Sequence, residues 1–255
     1  FMFYVYLLQS DVDSSFYVLL PAILTIVFPP LTAWIVQLHG YSWLFLCSAL
    51  LSVIALFILH FTLQEEVVHV SWWPSLVSFK GLRSITVLEG ALQFFGTIVL
   101  PVYSLLFFKT EHELGWFLSY LALVGFLIAL LLSFRSDKTQ LRKKYIYTLF
   151  FFLLFAIGML FTARTAFFWL IAMGLFVVLD NVSYPLRLAV SMDAKKVDMG
   201  FWVMREFFLN IGRVITLGLS ALFFWQEKYW AVFLLFGLVV VVYPFVINYK
   251  LNEIH

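Results

Sequence analysis

Residues 200–224, GFWVMREFFLNIGRVITLGLSALFF, place Arg205, Glu206, Asn210 and Arg213 inside an apolar run long enough to cross a bilayer. The chemistry open to such groups is limited. A guanidinium binds a carboxylate or another anion through charge-assisted hydrogen bonds, and a buried carboxylate can take up and release a proton. An ionised side chain at mid-membrane costs about 2.5–3.5 kcal/mol on insertion scales, so several on one helix must meet partners or water. In a helix Glu206, Asn210 and Arg213 follow i, i+4, i+7 spacing and share one face, while Arg205 lies roughly 100° round, with Gly212 and Thr216. Two uses of these groups are open. Arg213 can meet an anionic substrate or counter-ion near the bilayer centre; alternatively, Arg205 and Glu206 pair with neighbouring helices and Arg213 locks packing.

Two more apolar runs carry polar groups of the same kind. Residues 85–108 hold Glu89, Gln93 and Thr97 at i, i+4, i+8, beside Gly96 and Pro101, which implies an inward polar face. Residues 166–186 end in Asp180, Asn181, Ser183, Tyr184 and Pro185. Other chemistries find no support. The one cysteine, Cys47, excludes an internal disulfide and has no placed base, and the 5 histidines lack metal-ligand spacing. His112 and Glu113 in EHELG have no second histidine at the spacing a metalloprotease requires. An enzyme, a metal site and a cofactor are therefore not expected.

The elements that must position these residues are membrane helices. The chain is 64% hydrophobic and 12% charged, with a mean hydropathy of +1.02, so its solvent is lipid. The 31 Phe, 12 Tyr and 9 Trp suit acyl chains and the headgroup layer. The net charge of +2 is small and no basic face argues for nucleic acid. With about 20 apolar residues per crossing, the spans are 16–38, broken by Pro21, Pro29 and Pro30, then 41–63, 85–108, 115–134, 145–162, 166–186, 200–224 and 229–248. A turn at His39 and Gly40 makes the first two antiparallel neighbours, and 187–199 is expected to be a polar connection. The prolines of the first span free backbone groups that neighbouring helices or water must satisfy. The expected class is an all-α polytopic helix bundle of about eight transmembrane helices. The opening FMFYVYLLQSDVDSS has neither an initiating Met nor a signal-peptide pattern, so the chain is expected to be an interior fragment whose N-terminal part is missing. Residues 64–84, with Trp72 and Trp73 beside Lys80 and Arg83, suggest an interfacial linker.

Basic residues assign the sides. Lys80, Arg83, Arg135, Lys138, Arg142, Lys143, Lys144, Arg187, Lys195, Lys196 and Lys250 fall on one side, against Lys109, Arg164 and Lys228 on the other. The first side, and with it the C-terminus, is therefore cytoplasmic in an inner or plasma membrane. At 1.5 Å per residue, Glu89, Asp180, Arg205 and Glu206 share the cytoplasmic third. Asp180 with Arg205 is the expected pair, a breakable cytoplasmic gate.

This layout resembles the major facilitator superfamily, whose members have twelve helices in two halves of six; the chain looks like the last eight. The resemblance rests on the antiparallel pair with its proline-broken first member, the linker, the six later spans, and SFRSDKTQLRKKY between the fourth and fifth. In the family a cytoplasmic loop at that place reads Gly, three residues, Asp, Arg or Lys, then a basic cluster. Asp137 and Lys138 match, Arg142, Lys143 and Lys144 supply the cluster, and Ser133 stands where glycine is usual. The resemblance implies three regions: 1–63 from the N-terminal half, the cytoplasmic linker 64–84, and the C-terminal six-helix half 85–255. It further implies secondary active transport of a small molecule by alternating access, completed by the missing N-terminal helices, with the proton as coupling ion and export as direction both open. Glu89, Asp180 and Glu206 are then the available proton carriers, Glu89 the better one if Asp180 stays paired with Arg205, and Gln93, Asn181, Arg205, Asn210 and Arg213 complete the pathway. A scaffold or receptor on the same fold is the alternative; it would hold Glu89, Asp180, Arg205 and Arg213 in one closed, paired cluster.

Overall fold

A computed structural model of the protein describes residues 11–62, 70–133, 142–195 and 197–254, and all regular structure among them is helical. Among the described residues nine helices follow one another: α1 (Asp11–His39), α2 (Tyr41–Thr62), α3 (Trp72–Ser78), α4 (Arg83–Ser104), α5 (Glu111–Ser133), α6 (Arg142–Thr162), α7 (Ala166–Ala194), α8 (Met199–Trp225) and α9 (Tyr229–Ile254). Six of them, α2, α4 and α6 to α9, are long and apolar enough to cross a membrane. By length and composition the chain is thus a helical membrane protein. The sequence reading counts α1 and α5 as crossings too; α1 contributes the shorter apolar helix Ile23–His39, and α5 stands outside the six. Asp137 and Lys138 lie outside the described residues, as do the side chains of Arg142 and Lys143.

The chain divides into two compact units, Phe1–Glu65 with Phe108–Leu127, and Glu66–Phe107 with Ile128–His255. In the first unit α1 and α2 meet at Gly40, whose φ of +78° lies in the left-handed region that favours glycine; its N–H donates to Val36 O at 2.8 Å. Pro30 has no N–H and cannot reach the carbonyl of Ile26, one turn back in α1. That carbonyl accepts instead from the hydroxyl of Ser119 on α5. The helices lie close there, because a Cβ on Gly115 would come within 2.9 Å of Pro29 O. The start of α5 departs from expectation: residues 109–114 read as a loop, yet the helix begins at Glu111. A capping box explains this, for Glu113 N–H donates to Thr110 Oγ1 at 3.2 Å while Glu113 Oε2 accepts from Thr110 N–H at 3.3 Å.

The second unit is built around α4 and α8, which pack against each other more extensively than any other pair; α6 with α7 follows, and α9 closes on α6 and α4. The α4–α8 approach is close at two glycines. A Cβ on Gly90 would strike the Leu209 carbonyl, and one on Gly212 the Val87 carbonyl, so each helix seats backbone against the other's bare Cα. Beyond this crossing α4 widens into a π-helical turn at Phe95–Val99. There Phe95 stacks on Phe236 of α9, with ring centroids 3.4 Å apart. Asp198 caps α8 by accepting from Phe201 N–H at 2.7 Å. Two expected boundaries are corrected. The third apolar run is helical only to Ser104, where turns through Leu105–Phe107 end it. The sixth does not stop at Leu186: α7 runs on to Ala194 and carries Arg187 within it, where a polar connection was expected.

Candidate functional site

The polar residues of the second unit form two layers along α4, α7 and α8. The inner layer is buried. Glu89 of α4 and Arg205 of α8, 0% and 3% exposed, are paired with Arg205 Nη2 2.5 Å from Glu89 Oε1. Burial is forced by the helix crossing. Arg205, Gly212 and Thr216 share the face of α8 that the glycine contact presses against α4, and all three are buried. On α7, Arg187 is fully buried and its Nη2 donates to Asp180 Oδ1 at 2.8 Å. The two are seven residues apart and so fall on one side of the helix, two turns apart. Asp180 is 27% exposed.

The expected Asp180–Arg205 gate is thereby corrected. Asp180 is held within its own helix by Arg187, and Arg205 is held across helices by Glu89. The reason is local geometry: an aspartate reaches less far than a glutamate, and the close α4–α8 crossing brings Glu89 to Arg205 directly. With it goes the premise that Glu89 is the carboxylate free of an arginine.

The outer layer lies on the exposed side of α8. Arg213 Nη1 donates to Asn210 Oδ1 at 3.0 Å and to Glu206 Oε2 at 3.3 Å, and its Nη2 donates to Gln93 Oε1 at 2.8 Å. The i, i+4, i+7 face read from the sequence is thus one hydrogen-bonded patch, extended to α4 by Gln93. Glu206 is 55% exposed and Arg213 31%. Gln93 also joins the layers, since its Nε2 lies 3.5 Å from Glu89 Oε1, and Glu206 Oε1 sits 4.0 Å from Arg205 Nη1. Arg213 stands near the midpoint of α8. Asn181 is exposed and donates to Val177 O of its own helix at 2.9 Å. Thr97 is likewise turned to its own helix, donating to Gln93 O at 2.8 Å.

Two members of the cluster were not expected. Arg187 falls among residues 187–199, which read as a polar connection; its i, i+7 spacing from Asp180 was the available signal. Tyr243 of α9 is fully buried, within electrostatic reach of Glu89, Arg187 and Arg205, and stacked on Phe150 at 4.7 Å. Nothing in the apolar run around it distinguishes it from a packing aromatic. Among the described residues, Arg187 Nε and Nη1, Arg205 Nε, Glu89 Oε2 and Tyr243 Oη are buried without a hydrogen-bond partner. Among these buried unpartnered atoms, donors thus outnumber carboxylate oxygens, of which Glu89 Oε2 is the one.

Chemically, the arrangement is a balanced set of charges. Arg187 offsets Asp180, Arg205 offsets Glu89, and Arg213 offsets Glu206. It can hold or exchange ionic partners, and no nucleophile with an adjacent base lies among these residues. Among the described residues no three His, Cys, Asp or Glu side chains gather closely enough to hold a metal ion. Comparison with family models, curated proteins and solved structures finds no match to the chain.

Proposed function

We propose that the protein is a secondary active transporter of a small molecule, of the major facilitator type, working by alternating access in the plasma or inner membrane with its C-terminus in the cytoplasm. The observation that carries this reading is the outer layer: Glu206, Asn210 and Arg213 open on the side of an apolar helix, around its midpoint. Lipid does not tolerate such a face, so it borders water or further protein. A transporter needs a wall of this kind, wetted and chargeable, near the midplane. Glu206 is the carboxylate best placed to carry a coupling proton, because it alone of Glu89, Asp180 and Glu206 is more than half exposed.

The test is uptake by proteoliposomes holding the complete protein, exposed to a cell extract and analysed by mass spectrometry with and without a pH gradient. At least one solute should accumulate above protein-free vesicles and fail to do so with Arg213→Ala. Folded protein that moves no solute in either gradient would remove the reading. A scaffold or receptor on the same fold is favoured by one observation, the mutual pairing of Glu89 with Arg205 and Asp180 with Arg187 in the buried layer. That reading expects Arg213→Ala to alter partner capture while no solute crosses.

A further inference from the structure

Resting on the transporter reading, we infer that the outer layer is a ligand site for a small zwitterion, a molecule carrying both an ammonium and a carboxylate. The carboxylate is taken by Arg213 and the ammonium by Glu206.

Charge balance is the first support. The linked groups of the two layers on α4 and α8 are Glu89, Arg205, Glu206 and Arg213, two of each sign. With Glu206 ionised, a lone anion bound at Arg213 would leave Glu206 to share Arg205 with Glu89, three negative charges against two positive in a membrane interior. A lone cation at Glu206 strands Arg213 in the same way. Both are costly where dielectric is low. A zwitterion replaces each partner by a like group on one molecule and leaves the sum unchanged.

The second support is the state of the pair that must part. The Arg213–Glu206 contact, at 3.3 Å, is the longest of the three hydrogen bonds that Arg213 makes, and like the bond to Asn210 it is exposed, whereas the bond to Gln93 is half-buried. Arg213 keeps Gln93 and Asn210 as neutral holders when Glu206 leaves, so the guanidinium stays aimed. Glu206 in turn keeps Arg205 Nη1, 4.0 Å from its other oxygen. Seven residues of helix separate the two Cα atoms by about 10 Å along the axis, so the parted side chains can present charges farther apart than the present 3.3 Å. Gln93 and Asn210 add an exchangeable donor and acceptor between them.

The experiment is calorimetric binding to the purified complete protein in detergent, using glycine, 4-aminobutyrate and 6-aminohexanoate as zwitterions, and hexanoate and hexylamine as single-charge controls. At least one zwitterion should bind saturably while both controls fail. The ranking by length separates an amino-acid-like ligand from a longer one. Arg213→Gln and Glu206→Gln should each weaken binding about 30-fold or more, and the exchanged pair Glu206→Arg with Arg213→Glu should recover part of it. Variant folding is checked by circular dichroism. Binding of hexanoate or hexylamine as tight as that of the zwitterions, or no binding by any probe, would overturn the inference. The outcomes separate it from the transporter reading: zwitterion binding without uptake retains the site and removes transport, whereas uptake of a singly charged or neutral solute unaffected by Glu206→Gln retains transport and removes the zwitterion site.

Discussion

At the scale of single residues, the two ion pairs of the inner layer differ in what each loses when broken. Glu89 and Arg205 are both sealed from solvent, so removing one partner leaves an uncompensated buried charge. Arg205→Met and Glu89→Leu should each lower stability by about 3–5 kcal/mol. The double variant should recover most of that, since two apolar chains replace two charges. Thermal denaturation in detergent checks this; single variants that melt with the parent would show the pair to be incidental. Arg187→Met should be milder, because the stranded Asp180 keeps 27% of its surface for hydration. Tyr243 belongs to the same ensemble through its charge neighbours, even though the run around it gives no sign of that in the sequence.

Among the helices, the α4–α8 crossing decides where every polar side chain goes. Gly90→Ala and Gly212→Ala each place a methyl group against a backbone carbonyl that has no rotamer with which to yield, so the helices must separate. Each should cost about 1–3 kcal/mol, and should loosen the Glu89–Arg205 and Gln93–Arg213 contacts as well. Gly218→Ala on the same helix is the matched control, since nothing lies within 4 Å of its added Cβ. It should be neutral or stabilising by up to about 1 kcal/mol. Differential melting of these three variants tests the crossing directly.

These same helices show what the sequence makes legible. Hydropathy locates α2, α4 and α6 to α9, because a run of apolar residues needs no partner to be recognised. The i, i+4, i+7 stripe on α8 is legible for the same reason: periodicity is local. Pairing across helices is not local, and the Glu89–Arg205 contact depends on which glycines meet. Proline in a helix is not always a stop: Pro185 removes only the N–H that would reach the Asn181 carbonyl, and α7 runs on through it to Ala194, which brings Arg187 to the Asp180 side chain. The start of α5 was legible: Thr110 and Glu113 spell a capping box that the surrounding charge disguised as a loop.

For the whole molecule, the expected sidedness follows from the basic residues and can be read by chemical labelling. Lys195 follows α7 and Lys228 follows α8, at opposite ends of the α8 crossing. With the sole cysteine removed as Cys47→Ser, Lys195→Cys should react only with reagents admitted to the cytoplasmic side, and Lys228→Cys with an impermeant maleimide added outside. Reaction of both from one side would mean that α8 does not traverse the bilayer, and the midplane position of Arg213 would go with it.

The hydroxyl that Ser119 lends to the carbonyl orphaned by Pro30 has an implication for biogenesis. Helix α1 leaves the ribosome long before α5 exists, so the Ile26 carbonyl must wait for its protein donor, and until Ser119 arrives a water molecule has to serve it. The order of synthesis and the order of completion are therefore reversed for this pair.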